Sequence, residues 1–381
     1  MGVHTKTRGR RRGNKTGSVT FHKASGLWMA RYTDVLGKRR TIYGDSHDAA
    51  HRKLIAAQQS TYEGTVVPLD NLTVETYLQE WLQSVKSNLR FRTWKRYREL
   101  TEIHLIPEIG KIRLARLHPR DLRLAYTNRQ KYVSSSTVGH AHRVLHIALA
   151  QAARDDLVTR NVASLVKAPR VERAEPPVYS EEELTRIIEA AVGHRFEAVW
   201  SLAISTAARA GEIFGATWKN LDLDDGIWRI ETSLQRSPNG LALVPPKTER
   251  GRRTVRIGEV VAAKLTHARA LQAEEKLSLG PLHDNPMDLV FARTDGRPMD
   301  SPAFLRRYHY PLLKQAGIRK LGLHALRHSA ISVMLAKGVP VPEVSALAGH
   351  ANPAVTMGIY AHALPNTGGR AIEAMQSVVG G

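Results

Sequence analysis

Apolar and polar residues alternate with a period of two in three short runs near the start of the chain, at residues 18–21, 27–32 and 40–43. That alternation turns one face inward, and Gly26 and Gly37 stand where hairpin turns are needed, so a three-stranded sheet is expected. Ser46 offers the N-cap of a helix running to about residue 59. The period then changes. Val74, Tyr77, Leu78, Trp81, Leu82 and Val85 recur at helical spacing. Further helices are expected over 88–103, from Pro119 to about 126, and from the hydroxyl cluster at 134–137 to about 153. Residues 106–110 (Ile-Pro-Glu-Ile-Gly) read as a turn, and 62–71 and 166–177 as linkers. Beyond 178, three glutamates at 181–183 suit a helix start. An apolar helix from Trp200 breaks at 207–211, residues 222–246 and 252–257 read as strands with a loop at 237–240, and the rest reads as helix. The last helices, over 323–336, 341–348 and one carrying Tyr360, are separated by Gly338-Val339-Pro340 and by Gly349.

The pattern predicts a multidomain chain, mainly α with small β elements. Residues 1–16 form a basic arm, 17–65 a three-stranded sheet plus helix, 72–170 a helical domain and 178–381 an α+β domain.

Charge narrows the partners. The 381 residues carry 56 Lys and Arg against 35 Asp and Glu, a formal net charge of +21. Such an excess calls for a polyanion, and nucleic acid fits it best. Arg31, Lys38, Arg39 and Arg40 are expected on an exposed sheet face suited to a DNA groove. Arg90, Arg92, Lys95 and Arg96, interleaved with Trp94 and Tyr97, suit a helix lying along a phosphate backbone. The absence of cysteine excludes disulfide and thiolate chemistry. Apolar runs are interrupted by charge before membrane-span length, and no apolar run follows the basic start, so a cytoplasmic protein is expected. His142 and His146 lie four apart, but no carboxylate or cysteine stands at metal-ligand spacing, so no metal is assigned there.

The chemistry concentrates between residues 323 and 362. His324 and Arg327 can leave one helix face together, His350 follows Gly349 at a turn, and Tyr360 ends a helix. Guanidinium, imidazole and phenol groups gathered at one point suit phosphate chemistry with a tyrosine nucleophile. A rival reading takes His324 and His328 as zinc ligands. Ala325, however, stands where such a helix carries its catalytic glutamate.

Five segments occur in order: TAARAGE at 206–212, PKTERGRRTV at 246–255, HALRH at 324–328, AGH at 348–350 and IYAH at 359–362. Together they resemble the tyrosine recombinases, specifically phage-type integrases, and the resemblance spans the chain. It implies an arm-type DNA-binding domain at 17–65, a SAM-like core-binding domain at 72–170 and a catalytic domain at 178–381. It makes Arg209, Lys247, His324, Arg327 and His350 catalytic, Glu212 supporting and Tyr360 the nucleophile. Within that pattern His324 takes or relays the phenol proton, and Lys247 protonates the departing 5′ oxygen. A 3′-phosphotyrosyl intermediate is then passed between strands with no cofactor, metal or ATP. The resemblance also implies four protomers on two duplexes, a tail after Tyr360 that docks on a neighbour, and a DNA-bending or directionality factor as accessory partner. Three positions depart from the family pattern: Ala207 replaces a glycine, Ala325 an aspartate and Ala348 a leucine. A topoisomerase IB-like enzyme and a catalytically inactive DNA-binding relative remain as alternatives.

Overall fold

The computed structural model describes residues 17–23, 25–33, 39–62, 72–171, 175–246, 251–364, 375–376 and 378–379. The basic arm, Lys38, Lys247 and most of the tail lie outside the described residues. Two compact units divide the chain, Met1–Glu172 and Arg173–Gly381.

In the first unit, β1 (Ser18–His22), β2 (Leu27–Thr33) and β3 (Arg39–Gly44) form an antiparallel sheet in the order β1-β2-β3. Helix α1 (His47–Tyr62) starts where expected, with Ser46 Oγ accepting the Ala49 amide. Ala30, Tyr32, Ala50, Leu54 and Ala57 make a small core between sheet and helix. The register pairs Arg31 with Thr41 and Thr33 with Arg39, but Tyr32 with Arg40. Paired residues share a face, so Arg31 and Arg39 stand on the outer face, whereas Arg40 falls on the face that carries α1. The period of two, applied one residue further, separates what the sequence reading grouped together.

The helical part contains α2 (Val74–Ser84), α3 (Phe91–Leu100), α4 (Ile106–Ile109), α5 (Pro119–Gln130) and α6 (Ser135–Arg154). Arg90, Arg92, Lys95 and Arg96 are exposed, but Trp94 is buried and Tyr97 packs half-buried against the core. Trp94 Nε1 donates to the Leu82 carbonyl at 2.9 Å, and Tyr97 stacks on Trp81. The expected turn at 106–110 is instead helical, joined to α3 by a π-helical turn over Thr101–Leu105. A proline ring collides with the carbonyl four residues back. Widening the preceding turn, with Ile106 N–H bonding the Thr101 carbonyl, lets Pro107 stay in the helix. His142 pairs with the Tyr126 hydroxyl at 3.0 Å and His146 with Ser164 at 3.1 Å.

The second unit begins with α7 (Glu181–Ala190), capped by Ser180 in a reciprocal box with Glu183. Buried α8 (Glu197–Thr206) follows, then α9 (Ala210–Phe214). Strands β4 (Leu221–Asp222), β5 (Ile227–Ile230) and β8 (Arg253–Arg256) make one antiparallel sheet. A separate hairpin, β6 (Ser233–Ser237) with β7 (Gly240–Val244), interrupts them in sequence. Helix α10 is Gly258–Leu279. The helix expected beyond it fails over 283–300, where Asn285-Pro286 and Asp295-Gly296 are turn pairs and Thr217 bridges to Leu289. Helices α11 (Ser301–Phe304), α12 (Tyr310–Gln315), α13 (Leu323–Ala336), α14 (Val341–Ala348) and α15 (Pro353–Tyr360) complete the unit. A second π-turn, over Leu305–His309, again precedes a proline by two residues, Pro311.

His309 anchors this core with no solvent exposure. Trp200 Nε1 donates to its Nδ1 at 2.9 Å, so its Nε2 carries the hydrogen that reaches the Leu321 carbonyl at 3.0 Å. Burial pushes its pKa down to about 4, against a partly opposing pull from that carbonyl. The folded value lies below the unfolded value of 6.5, so the unfolded chain binds the proton first. Stability is full above pH 6.5 and is lost as pH falls towards 4, by roughly 3 kcal/mol from this group. Thermal melts of the full chain between pH 7 and 4 should show the loss. His309→Gln, which cannot titrate, should remove this group's share of it, and an unchanged slope in that variant would refute the assignment.

Candidate active site

The segment TAARAGE ends one helix and starts another within four residues. Thr206 Oγ1 donates to the Leu202 carbonyl at 2.6 Å, and Ala207 turns the chain in the left-handed region at φ 51°. Arg209 is then the N-cap of α9, where Glu212 reaches back to its amide at 3.0 Å. The guanidinium of Arg209 is aimed by a carboxylate at one end and by backbone at the other. Nη1 donates to Glu212 Oε1 and Nη2 to the Gly349 carbonyl, each at 2.9 Å.

Glu212 also receives Arg253, the first residue of β8. Arg253 Nη2 donates to Glu212 Oε2 at 2.9 Å and Nε to the Leu347 carbonyl at 2.7 Å. The guanidinium lies so close to Gly349 that a Cβ there would meet Nη1 at 2.8 Å, and Gly349 has φ 65°, so glycine is required twice over. Burial pushes the Glu212 carboxyl up, but the hydrogen bonds and charges of Arg253 and Arg209 outweigh it and hold the group below the ordinary carboxylate value.

Arg327, on α13, is 3% exposed and donates Nη1 to the Ala207 carbonyl at 2.5 Å. Burial, with repulsion from Arg209, brings its pKa down to about 10, so it remains charged at neutral pH. His324 and His328 occupy the same helix face, their rings edge to face with centroids 4.7 Å apart. His350 follows the left-handed Gly349, and its Nδ1 pairs with Thr356 Oγ1 at 2.7 Å. Burial and the surrounding arginines push His350 down to about 4. Burial, His324 and Arg327 do the same for His328, and packing with the same cations lowers His324. All three imidazoles are neutral at pH 7.

Tyr360 ends α15 at 1% exposure, packed with Ala207, Ile331, Val344 and Ala348. Its hydroxyl is hydrogen-bonded to His328 Nδ1. Burial pushes the phenol up to about 12, opposed in part by Arg327, so it is protonated at rest.

Arg209, Glu212, His324, Arg327, His350 and Tyr360 therefore converge, while Lys247 lies outside the described residues. Sequence reasoning missed two groups. Arg253 is the second half of the Arg252-Arg253 pair, and only the strand's inward alternation marks it as buried. His328 was weighed only as a metal ligand, although its place one turn after His324 puts it on the same face.

Comparison with known proteins follows the same lines. Residues 178–367 match the sequence model of the phage integrase family, and residues 73–129 that of the phage integrase N-terminal SAM-like domain. The chain is similar to a XerC-like tyrosine recombinase of Caldanaerobacter subterraneus subsp. tengcongensis, 25% identical over 364 residues, covering 89% of this chain and 92% of the relative. Its fold resembles that of the Tn1549 transposon integrase solved in complex with a circular intermediate DNA. There the TM-score is 0.66 at 20% identity, covering 80% of this chain and 99% of that one. It also resembles lambda integrase, solved as a tetramer bound to a Holliday junction, with a TM-score of 0.57 at 17% identity over 94% and 97% of the two chains. The chain belongs to the phage integrase family of tyrosine recombinases and is a site-specific recombinase of a phage or mobile element.

Proposed function

We propose that the site cleaves one DNA strand by in-line attack of Tyr360 Oη on a phosphodiester. The observation that carries this reading is a charge imbalance: Arg209, Arg253 and Arg327 surround one carboxylate, Glu212, and the nearby imidazoles are neutral. A partly buried excess of guanidinium charge is complementary to an anion, and most of all to one that gains charge in its transition state. Arg209 and Arg327 bind the nonbridging oxygens, with His350 as a further donor. His324 stands at the surface beside both arginines and faces His328 rather than the phenol, so it too serves the phosphate. Glu212 holds Arg209 in place.

In the step, the Oη–P bond forms, the P–O5′ bond breaks, and Lys247 gives its proton to the leaving oxygen. The product is a 3′-phosphotyrosyl link with a free 5′ hydroxyl, which another strand reverses by the same chemistry. Arginine charge performs the neutralisation that other nucleases draw from metal ions, so the reaction runs without metal or ATP.

DNA is the partner throughout. Residues 17–65 act as the arm-type domain through Arg31, Lys38, Arg39 and Arg40, with Arg40 reaching DNA past the sheet edge rather than from its outer face. Residues 72–170 act as the core-binding domain through Arg90, Arg92, Lys95 and Arg96, and 178–381 form the catalytic domain. The exposed basic row on α3 supports phosphate contact. The lambda integrase tetramer on a Holliday junction supports a four-protomer assembly, completed by a DNA-bending or directionality factor. In the host cytoplasm such an assembly integrates or excises the element.

Three outcomes test the proposal. With a nicked half-site substrate in excess chelator, the protein should form a covalent adduct seen as a shifted band, whereas Tyr360→Phe should bind the DNA and form none. Deleting residues 1–65 should spare cleavage at the crossover site and weaken recombination on DNA that carries distant arm sites. Equal recombination on such DNA would remove the arm-domain assignment. Arg253→Ala leaves Glu212 buried with one partner fewer, which should cost about 3–5 kcal/mol in denaturant unfolding. Adding Glu212→Gln should recover part of that loss. A single variant as stable as the parent would contradict the buried pair.

A further inference from the structure

We infer that His328 is the proton acceptor for the Tyr360 nucleophile: its Nδ1 takes the phenol proton as Oη attacks phosphorus. The inference deepens the assignment of Tyr360 as nucleophile and rests on it. Within the described structure the Tyr360 hydroxyl meets one titratable side chain, and that is His328. Its ring centroid lies 5.5 Å from the tyrosine ring. His324, the other histidine on this face of α13, meets the His328 ring instead.

The surroundings suit the role. The titratable and charged groups around His328 are His324 and Arg327 on its own helix, Tyr360 from α15 and His350 from the turn after α14. The turn after α8 brings apolar Ala207 and, two residues on, Arg209, which acts on the adjoining His324, Arg327 and His350, and helix α14 brings apolar Val344 and Ala348. No carboxylate faces the imidazole among these groups, so none of them holds a charged ring in the resting state. Half-burial and the neighbouring cations keep the ring neutral, the form with a lone pair free to accept. With the ring's own hydrogen on Nε2, the phenol O–H points at Nδ1 along the direction the proton must travel. A phosphodiester bound beside Arg327 adds negative charge close to the ring, which favours the imidazolium as the phenol loses its proton.

The balance is complete. The Oη–H pair becomes the new O–P bond, the proton passes to Nδ1, and the electron pair of the broken P–O5′ bond leaves with the 5′ oxygen. In the reverse step, His328 returns the proton to Oη as the phenol departs. His328 touches the reacting atom and is in that sense catalytic rather than positioning.

The test measures single-turnover adduct formation by the full chain on a half-site substrate with a 5′-bridging phosphorothiolate. Its thiolate leaves without a proton, so only the phenol proton is read. In wild type the rate should show a solvent deuterium isotope effect. His328→Asn keeps a hydrogen-bond acceptor near the Nδ1 position but cannot take a proton. It should keep DNA affinity, lose about a hundredfold or more in rate at pH 7, and regain rate steeply as pH rises. His328→Gly should be partly rescued by added imidazole, which a structural role would not allow. Absence of an isotope effect in wild type would overturn the proposal whatever the variants do. So would His328→Asn and His328→Gln cleaving at close to wild-type rates, or a loss with an unchanged pH profile and no rescue. An adduct that maps to another residue, or none in wild type, removes the Tyr360 assignment and this inference with it. An adduct at Tyr360 that ignores His328 removes the inference alone.

Discussion

The carboxylate of Glu212 is the point from which the site is hung. One oxygen takes Arg209 Nη1; the other takes the Arg209 amide and Arg253 Nη2. Through those bonds the start of α9, the start of β8 and, by way of the Leu347 and Gly349 carbonyls, the end of α14 are fixed relative to one another. A buried ion pair is weak support for stability, since desolvation offsets much of the attraction. Its value here is geometric. Three guanidiniums with no acid would repel one another apart, and with three acids they would have no charge left for a ligand. One carboxylate holds two of the arginines and still leaves the cluster positive.

The same field sets the protonation of everything around it. Beyond burial, the charges of Arg327, Arg209 and Arg253 lower the pKa of His350, and His324 and Arg327 lower that of His328. Neutral imidazoles can accept or donate at will, so the arginines prepare the histidines without touching them. Burial acts in the opposite direction on Tyr360, keeping the phenol protonated. The free protein thus rests with an excess of cations over acid and the Tyr360 phenol unionised, two conditions that the proposed phosphodiester would relieve together.

Much of this was legible in the sequence, for identifiable reasons. Elements with strong periodicity, such as α2, α6 and the N-terminal sheet, follow from apolar spacing, and sharp boundaries follow from Ser46, the glutamates at 181–183 and Gly349. The motif order brings Arg209, His324, Arg327, His350 and Tyr360 to notice. Failures came where a local rule met a tertiary exception. Pro107 reads as a breaker, but a π-turn absorbs it. Trp94 and Tyr97 read as companions of the basic row, but helical rotation buries Trp94 and turns Tyr97 against the core. Arg253 and His328 escaped because an ionisable residue looks the same in sequence whether it faces water or a buried partner. What distinguishes them is Glu212, forty-one residues from Arg253, and Tyr360, thirty-two from His328.

Ala207 shows how far the backbone bends to serve the site. A left-handed conformation costs an alanine about 1–2 kcal/mol that a glycine avoids. The position cannot relax, because its carbonyl is the acceptor of Arg327 and its methyl packs in the cluster that seats Tyr360. An alanine at this turn gives up backbone ease and gains apolar contact beneath the phenol, in the same few ångströms where the arginine is aimed. The strain therefore lies between Arg327 and Tyr360, the groups proposed to bind the phosphate and to attack it. A shift of that turn would move both at once, which ties the binding geometry to the attacking geometry through a single peptide unit.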